Sequence, residues 1–207
     1  MFEFMSHVSP ITSPMPRTQF ILGGQKSGKS RRAEMLAARW MQADSSHRSV
    51  YVATGQAWDA EMRERIARHQ SDRSQRVPGM QTVEEPKDLA AVIAAHSQPD
   101  CLLVVDCMTL WLTNWLMPAT EDNSESDQLK DHEWKAQLAL FLRAIDAAQG
   151  PVILVGNEIG LGVIPMGREV RAFVDALGTL NQQIAAHCDS VTLMCAGLPL
   201  ALKGQQA

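Results

Sequence analysis

Short apolar runs along the chain alternate with longer stretches in which apolar residues recur at helical spacing. The runs are Phe20-Ile21-Leu22, Val50-Tyr51-Val52-Ala53, Cys101 to Val105, Val152 to Val155, and Val191 to Cys195. A continuous apolar run without polar alternation is the pattern of a strand buried on both faces of a parallel sheet. Between the runs lie helical candidates: Ser30 to Met41, Asp59 to Gln70, Pro86 to His96, Glu133 to Gln149, and Arg168 to His187. Strands alternating with helices predict an α/β domain with a mainly parallel central sheet flanked by helices. Ligands in such folds sit at the carboxyl ends of the strands, so the residues ending each run are the first candidates for chemistry.

One segment interrupts the alternation. Pro118 to Asp131 (PATEDNSESDQLKD) is polar and acidic and reads as a solvated loop between two helices. It lacks the glycine and terminal glutamate of an EF-hand loop. The N-terminal residues carry prolines and serines but no charged segment followed by an apolar run, so they do not read as a signal peptide. Residues 1–17 are expected to form a flexible extension without chemistry, and 18–207 a single nucleotide-binding catalytic domain. No stretch approaches the ~20 apolar residues of a membrane span.

Charge and cysteine content narrow the partners. A formal net charge of −4 leaves no basic surplus to neutralise nucleic-acid phosphates. Small anions remain possible ligands, because a local nest of N–H groups binds them regardless of the total charge. Cys101, Cys107, Cys188 and Cys195 match no C-x2-C zinc spacing. They are expected to be reduced, mostly buried thiols of a cytoplasmic protein.

Gly23-Gly24-Gln25-Lys26-Ser27-Gly28-Lys29-Ser30 fits G-x-x-x-x-G-K-[ST], directly after an apolar strand and opening a helix. Glycines let successive N–H groups turn inward onto a β-phosphate, and the helix N-terminus adds partial positive charge. Lys29 is expected to reach the β- and γ-phosphates as a catalytic cation, and the Ser30 hydroxyl to bind Mg²⁺. The fold class expected is therefore a P-loop NTPase of the RecA-like type. Asp106 ends the run Leu102 to Val105. It suits the nucleotide site as the carboxylate that holds Mg²⁺ or its water shell, and it equally suits an N-cap for the helix that follows. Asn157 and Glu158 end another run, positioned either to touch a γ-phosphate, a metal-bound water or an acceptor, or to cap their own loop.

Phosphate binding alone leaves kinases, GTPases and motors open. The remaining motifs are more specific: Tyr51-Val52-Ala53-Thr54, Asp59-x-Glu61-Met62-x-x-Arg65-Ile66-x-x-His69, Thr82-x-Glu84-Glu85-Pro86 and Asp106-Cys107-Met108-Thr109-Leu110-Trp111-Leu112-Thr113-Asn114. Asn157-Glu158-Ile159-Gly160-x-Gly162-x-Ile164-Pro165 and Asp175-x-x-Gly178-x-x-Asn181-Gln182 follow in order. With these the chain resembles, from about Gln19 to Lys203, the bifunctional adenosylcobinamide kinase/adenosylcobinamide-phosphate guanylyltransferases of cobalamin biosynthesis. The resemblance implies two reactions. A nucleoside triphosphate (GTP or ATP) phosphorylates the aminopropanol hydroxyl of adenosylcobinamide. GMP from GTP is then transferred to that phosphate, giving adenosylcobinamide-GDP and pyrophosphate.

The family carries the guanylyl group on a histidine, and the resemblance assigns His69, the only histidine between Asp59 and Arg76. An imidazole nitrogen can attack an α-phosphate and later leave, dividing one displacement into two. Arg65, Arg68 and Arg73 flank it as cations for the transferring phosphoryl oxygens. On its residues alone, His69 equally suits a solvated position on a charged helix. Some relatives carry adjacent histidines where this chain has Arg68-His69.

The resemblance also suggests that Gly55, Gln56 and Ala57 position GTP and that Glu84 contacts base or ribose, although Glu84 also suits a helix start before Pro86. Gln25 and Lys26 stand where the family commonly has Ala-Arg. Arg168 and Arg171 read equally as phosphate contacts or surface charges. A homotrimer is implied, with a broad open site for the corrinoid. Two other readings stand beside this one: a relative keeping one of the two activities, and a P-loop regulatory module.

Overall fold

The computed structural model describes residues 15–57, 59–117, 127–163 and 165–204, excepting the side chains of residues 65 and 127–131. In chain order the elements are β1 (Thr18–Gly23), α1 (Lys29–Ala43), β2 (Arg48–Ala53), α2 (Ala60–Arg76), β3 (Gln81–Glu84), α3 (Leu89–His96) and β4 (Cys101–Asp106). They continue with α4 (Met108–Leu116), α5 (Asp127–Ala147), β5 (Val152–Val155), α6 (Arg168–His187), β6 (Ser190–Cys195) and β7 (Leu198–Lys203).

The strands form one seven-stranded sheet in the order β3-β2-β4-β5-β1-β6-β7. Every neighbouring pair is parallel except β6 with β7. Side chains alternate between the faces, as the strand period requires. Phe20, Val52, Leu103, Val105 and Leu154 point toward α3, α4, α5 and α6, where Trp111 packs on Trp134 and Phe141. Ile21, Tyr51, Leu102, Val104 and Ile153 point the other way, onto Ala33, Leu36 and Ala37 of α1. Burial on both faces explains why these strands read as unbroken apolar runs.

Register places the strand ends level. Glu84 pairs with Ala53, Ala53 with Asp106, Asp106 with Val155, and Val155 with Ile21. One row therefore crosses β3, β2, β4, β5 and β1 at or near their carboxyl ends. At about 4.8 Å per strand, the Asp106 backbone lies roughly 10 Å from both Glu84 and Ile21. β5, between β4 and β1, separates Asp106 from the glycine-rich loop.

The structure corrects several boundaries. α2 runs to Arg76, past the expected Gln70, and α3 starts at Leu89 rather than Pro86, with Asp88 as its N-cap. α5 begins at Asp127, inside the segment expected to be loop. β3 and β7 form the two edges of the sheet; β3 (QTVE) lacks the apolar run that marks the other strands, whereas β7 carries one, Leu198 to Leu202, which is not among the strands expected from the sequence. Residues 1–14 of the expected extension lie outside the described residues. Arg17 is held in place: its carbonyl accepts from Val152 N at 2.8 Å, and its Nη1 donates to the carbonyls of Asp146 and Ala148 at 2.9 and 3.0 Å.

Candidate functional site

The phosphate loop leaves β1 at Gly23, whose φ is 153°. A Cβ there would lie 2.5 Å from both the Met194 carbonyl oxygen and Ser27 Oγ, so glycine is required. Lys26 takes a left-handed φ of 56°, and Gly28, at φ 100°, is the N-cap of α1. The loop is held from two sides. Glu158 N donates to the Gly23 carbonyl at 3.1 Å, and Gly197 N donates to the Ser27 carbonyl at 3.0 Å. Lys29 Nζ reaches back to the Gly24 carbonyl at 2.7 Å. Ser27 Oγ is buried without a partner among the described residues, within a loop shaped to surround an anion. Gly197 belongs to the β6–β7 turn, so this hairpin buttresses the cradle, a role the sequence pattern does not announce.

Asp106 stands half-buried at the end of β4. Cys107 is the N-cap of α4, so the helix-cap reading of Asp106 does not hold. The Asp106–Cys107 peptide is cis. Instead, the buried Tyr51 hydroxyl faces the Asp106 carboxylate, and the two groups interact. Burial, reinforced by the Asp106 charge, pushes that hydroxyl well above its ordinary range and keeps it protonated. Arg73 lies 3.7 Å from the Tyr51 ring centroid and donates to Thr82 Oγ1 at 3.1 Å. Arg73 is 4% exposed, which commits it to this packing rather than to a phosphate. Neither Tyr51 nor this use of Arg73 follows from motif spacing, because Tyr51, Arg73 and Asp106 lie on three different elements.

Behind Asp106, Thr54 Oγ1 bonds both the N–H and the carbonyl of Cys107 at 2.8 Å. Asn114 Nδ2 donates to the carbonyls of Thr54 and Pro86 at 2.8 and 3.0 Å, tying the ends of β2 and β3 to α4. Burial, with the Asp106 charge added, pushes the Cys107 thiol up to about 12, while Lys29 opposes the shift from across the site.

For a magnesium ion the donors fit. Ser30 and Asp106 offer a hydroxyl and a carboxylate oxygen, and no cluster of three His, Cys, Asp or Glu exists among the described residues. Mg²⁺ bound with nucleotide needs no all-protein cage, since waters and phosphate oxygens complete its shell.

Asn157 N donates to Thr109 Oγ1 at 3.0 Å, and Asn181 Nδ2 donates to the Asn157 carbonyl at 3.1 Å. The Glu158 carboxylate accepts from Gly160 N at 2.8 Å, so it caps its own loop. Arg171 Nη1 donates to the Pro165 carbonyl at 3.0 Å and to that of Met166, which assigns it to that loop as well. Arg168 is exposed.

His69 is exposed on α2, whose N-cap Asp59 accepts from Met62 N at 2.7 Å. Arg73 and Arg76 follow His69 at i+4 and i+7 and share its helix face. Arg76 binds Glu34 of α1 at 2.8 Å, and Glu34 is buried. Gln70 Nε2 contacts Glu84 Oε1 at 3.4 Å. Glu84 ends β3 and does not start a helix; Glu85 and Asp88 make the turn into α3. Gly55 and Gln56 are half-buried beyond β2, and Ala57 is exposed. The expectation for Arg65 lies outside the described side chains. The sheet order thus brings residues 23–30, Asp106 and Asn157 to the carboxyl ends of adjacent strands, while Glu84, contacted by Gln70 next to His69, lies two strands from Asp106 on the other side.

Comparison with known proteins bears on the fold and the family. The flagellar accessory protein FlaH of Methanocaldococcus jannaschii superposes with a TM-score of 0.51 at 16% identity, over 92% of this chain and 80% of that one. The fold is the RecA-like P-loop architecture. The bifunctional adenosylcobalamin biosynthesis protein CobP of Pseudomonas aeruginosa is 44% identical over 89% of this chain and 96% of its own length. The corresponding protein CobU of Escherichia coli is 34% identical over 88% of this chain and 98% of its own. The model of the cobinamide kinase / cobinamide phosphate guanyltransferase family matches residues 19–202. With its phosphate loop, level strand ends and this span of similarity, the chain belongs to the cobinamide kinase / cobinamide phosphate guanyltransferase family, bifunctional enzymes of adenosylcobalamin biosynthesis.

Proposed function

We propose that residues 18–207 act as one catalytic domain that performs both transfers of the family, with GMP carried on His69 between them. The observation carrying the reading is the face of α2: His69 sits one turn before Arg73, and Arg73 packs on the tyrosine that faces Asp106. The carrier is thereby linked mechanically to the nucleotide site.

In the kinase step the acceptor hydroxyl oxygen attacks the γ-phosphorus, the bond to the β-phosphate oxygen breaks, and the hydroxyl proton is released. The loop amides of residues 23–30 hold the phosphates, and Lys29 moves from the Gly24 carbonyl onto the β- and γ-oxygens. In the second step an imidazole nitrogen of His69 attacks the α-phosphorus of GTP and pyrophosphate leaves. A phosphate oxygen of cobinamide phosphate then displaces the imidazole, and the P–N bond breaks. Gly55, Gln56, Ala57 and Glu84 border this second position as nucleotide contacts. Ser30 and Asp106 would hold Mg²⁺, which would supply neutralisation of phosphate charge.

The proposed substrates are GTP or ATP and a corrinoid, and the proposed assembly is a homo-oligomer, a trimer by resemblance. The exposed Leu198, Leu200 and Leu202 on edge strand β7 support association. The proposed location is the cytoplasm; no helix among the described residues is long and apolar enough to cross a membrane.

The test is incubation with α-labelled GTP. Wild type is expected to give an acid-labile, base-stable adduct, His69→Ala none, with kinase activity retained. Label persisting on the His69→Ala protein overturns the carrier assignment.

A further inference from the structure

The segment leaving β5, whose root at Glu158 contacts the phosphate loop, exposes apolar side chains. Ile159 is 41% exposed, Leu161 80%, Val163 97% and Met166 94%, and Val170 in the first turn of α6 is 49% exposed. A contiguous group of exposed aliphatic side chains marks a surface that another molecule covers.

Its place identifies the molecule. β5 lies between β1 and β4, so this segment departs from between the phosphate loop and Asp106. Its root is fixed to the cradle by the Glu158 N to Gly23 carbonyl bond of 3.1 Å. Its far end is fixed to α6 by Arg171, which donates to the carbonyls of Pro165 and Met166. The polar groups at both ends of the loop are thus engaged within the protein, while the apolar side chains face solvent. The nucleotide is served by polar loop amides and cations, which leaves this ledge to the other reactant.

We propose that Ile159, Leu161, Val163, Met166 and Val170 form the docking ledge for the corrin ring of the acceptor. A corrinoid is a broad macrocycle with methyl-bearing edges, and aliphatic side chains suit such a surface where they would not suit a second triphosphate. The inference rests on the family's reaction for this chain. It adds that one ledge serves cobinamide and cobinamide phosphate alike, because both carry the same ring.

The test uses the full chain and cobinamide itself, followed by its visible absorbance in equilibrium dialysis. The triple variant Leu161→Ser, Val163→Ser, Met166→Gln is expected to raise the cobinamide Kd by about tenfold or more, since each exchange removes part of an aliphatic contact. The KM for both corrinoid acceptors should rise in parallel, while the nucleotide KM and thermal midpoint stay at wild-type values. The conservative variant Leu161→Met, Val163→Ile should bind as wild type. Unchanged cobinamide affinity in the triple variant overturns the proposal. Unchanged affinity together with a lower molar mass by light scattering assigns the ledge to a second copy of the chain, which also overturns it. Failure of the wild-type protein itself to bind cobinamide removes the reading on which the inference rests, and is recognised before any variant is compared.

Discussion

The Tyr51 hydroxyl faces the Asp106 carboxylate from the neighbouring strand of the sheet, with the charge of one acting on the proton of the other. Tyr51 pairs with Val104, two residues before Asp106 on β4, so the two side chains lie on the same face of the sheet. The contact aims a carboxylate that would otherwise swing freely at a half-exposed position. Arg73 closes the tyrosine from the far side, which brings α2 into the support of Asp106.

Tyr51→Phe keeps the ring and its contact with Arg73 but removes the hydroxyl. Contact between a hydroxyl and a charged group contributes up to about 1.5–3 kcal/mol, and water partly replaces it at half-exposed Asp106, so stability should fall by about 1 kcal/mol. The Mg²⁺ concentration giving half-maximal kinase rate should rise by about threefold to tenfold. The hydroxyl is raised well above 10 by burial and by Asp106, so it stays protonated through pH 10. Wild-type and Tyr51→Phe pH–rate profiles should therefore run parallel between pH 7 and about 10. An unchanged Mg²⁺ midpoint would contradict the orienting role.

A second anchor of α2 is the pair between Arg76 and buried Glu34, in which hydrogen bonding to the carboxylate raises the arginine pKa. Arg76→Ala leaves a carboxylate of 3% side-chain exposure without this partner. The full cost of breaking a buried pair is discounted here because the arginine side chain is 43% exposed, leaving about 2 kcal/mol. Glu34→Gln in the Arg76→Ala background should recover part of that loss in a denaturant titration. Guanylylation of the protein should slow more than the kinase step, because α2 carries His69. Equal slowing of both would assign Arg76 a purely structural role.

How far the sequence reaches depends on which forces act locally. The runs at Phe20, Val50, Cys101 and Val152 announce strands because burial on both faces demands continuous apolar residues. The phosphate loop is legible because its backbone conformation demands glycine at Gly23. β3 is not, because an edge strand with exposed Gln81, Thr82 and Glu84 needs only backbone pairing to β2. The α5 start is hidden for a related reason: its first residues, Asp127-Gln128-Leu129-Lys130-Asp131, are mostly polar and continue the acidic composition of the segment before them. Arg73 illustrates the limit at the site. Beside His69 it reads as a phosphate cation, yet a stack on Tyr51 and a bond to Thr82 claim it, and both partners are remote in sequence.

The thiols offer a direct check on burial. Burial raises Cys101, and it pushes Cys107 and Cys188 up to about 12, so the latter two remain neutral thiols at any pH well below that value. Cys195 is exposed on the β6–β7 hairpin. An alkylating reagent at pH 8 should modify one thiol of the four in the native chain and all four in denaturant. Raising the pH to 9 should not recruit Cys107 or Cys188, and Cys195→Ser should abolish native labelling. Rapid native modification of a second thiol, read by intact mass, would show that a buried cysteine opens.

Two adjacent glycines of the cradle should respond in opposite ways. Gly23→Ala places a Cβ 2.5 Å from the Met194 carbonyl oxygen and Ser27 Oγ, at a φ of 153° that L-residues rarely adopt. The carbonyl belongs to β6, which is paired to β1 and has no room to retreat, so the loop itself must shift. A loss of about 2 kcal/mol or more is expected, with nucleotide affinity down by about tenfold or more as the amides lose their aim. Gly24→Ala meets nothing within 4 Å and should leave the thermal midpoint within about 1 °C of wild type. Any affinity lost by Gly24→Ala then reflects crowding of the phosphate alone. Melting curves and nucleotide titrations of the two variants therefore separate the glycine that shapes the loop from the glycine that only borders the ligand; equal melting temperatures would show that Met194 does not constrain the cradle.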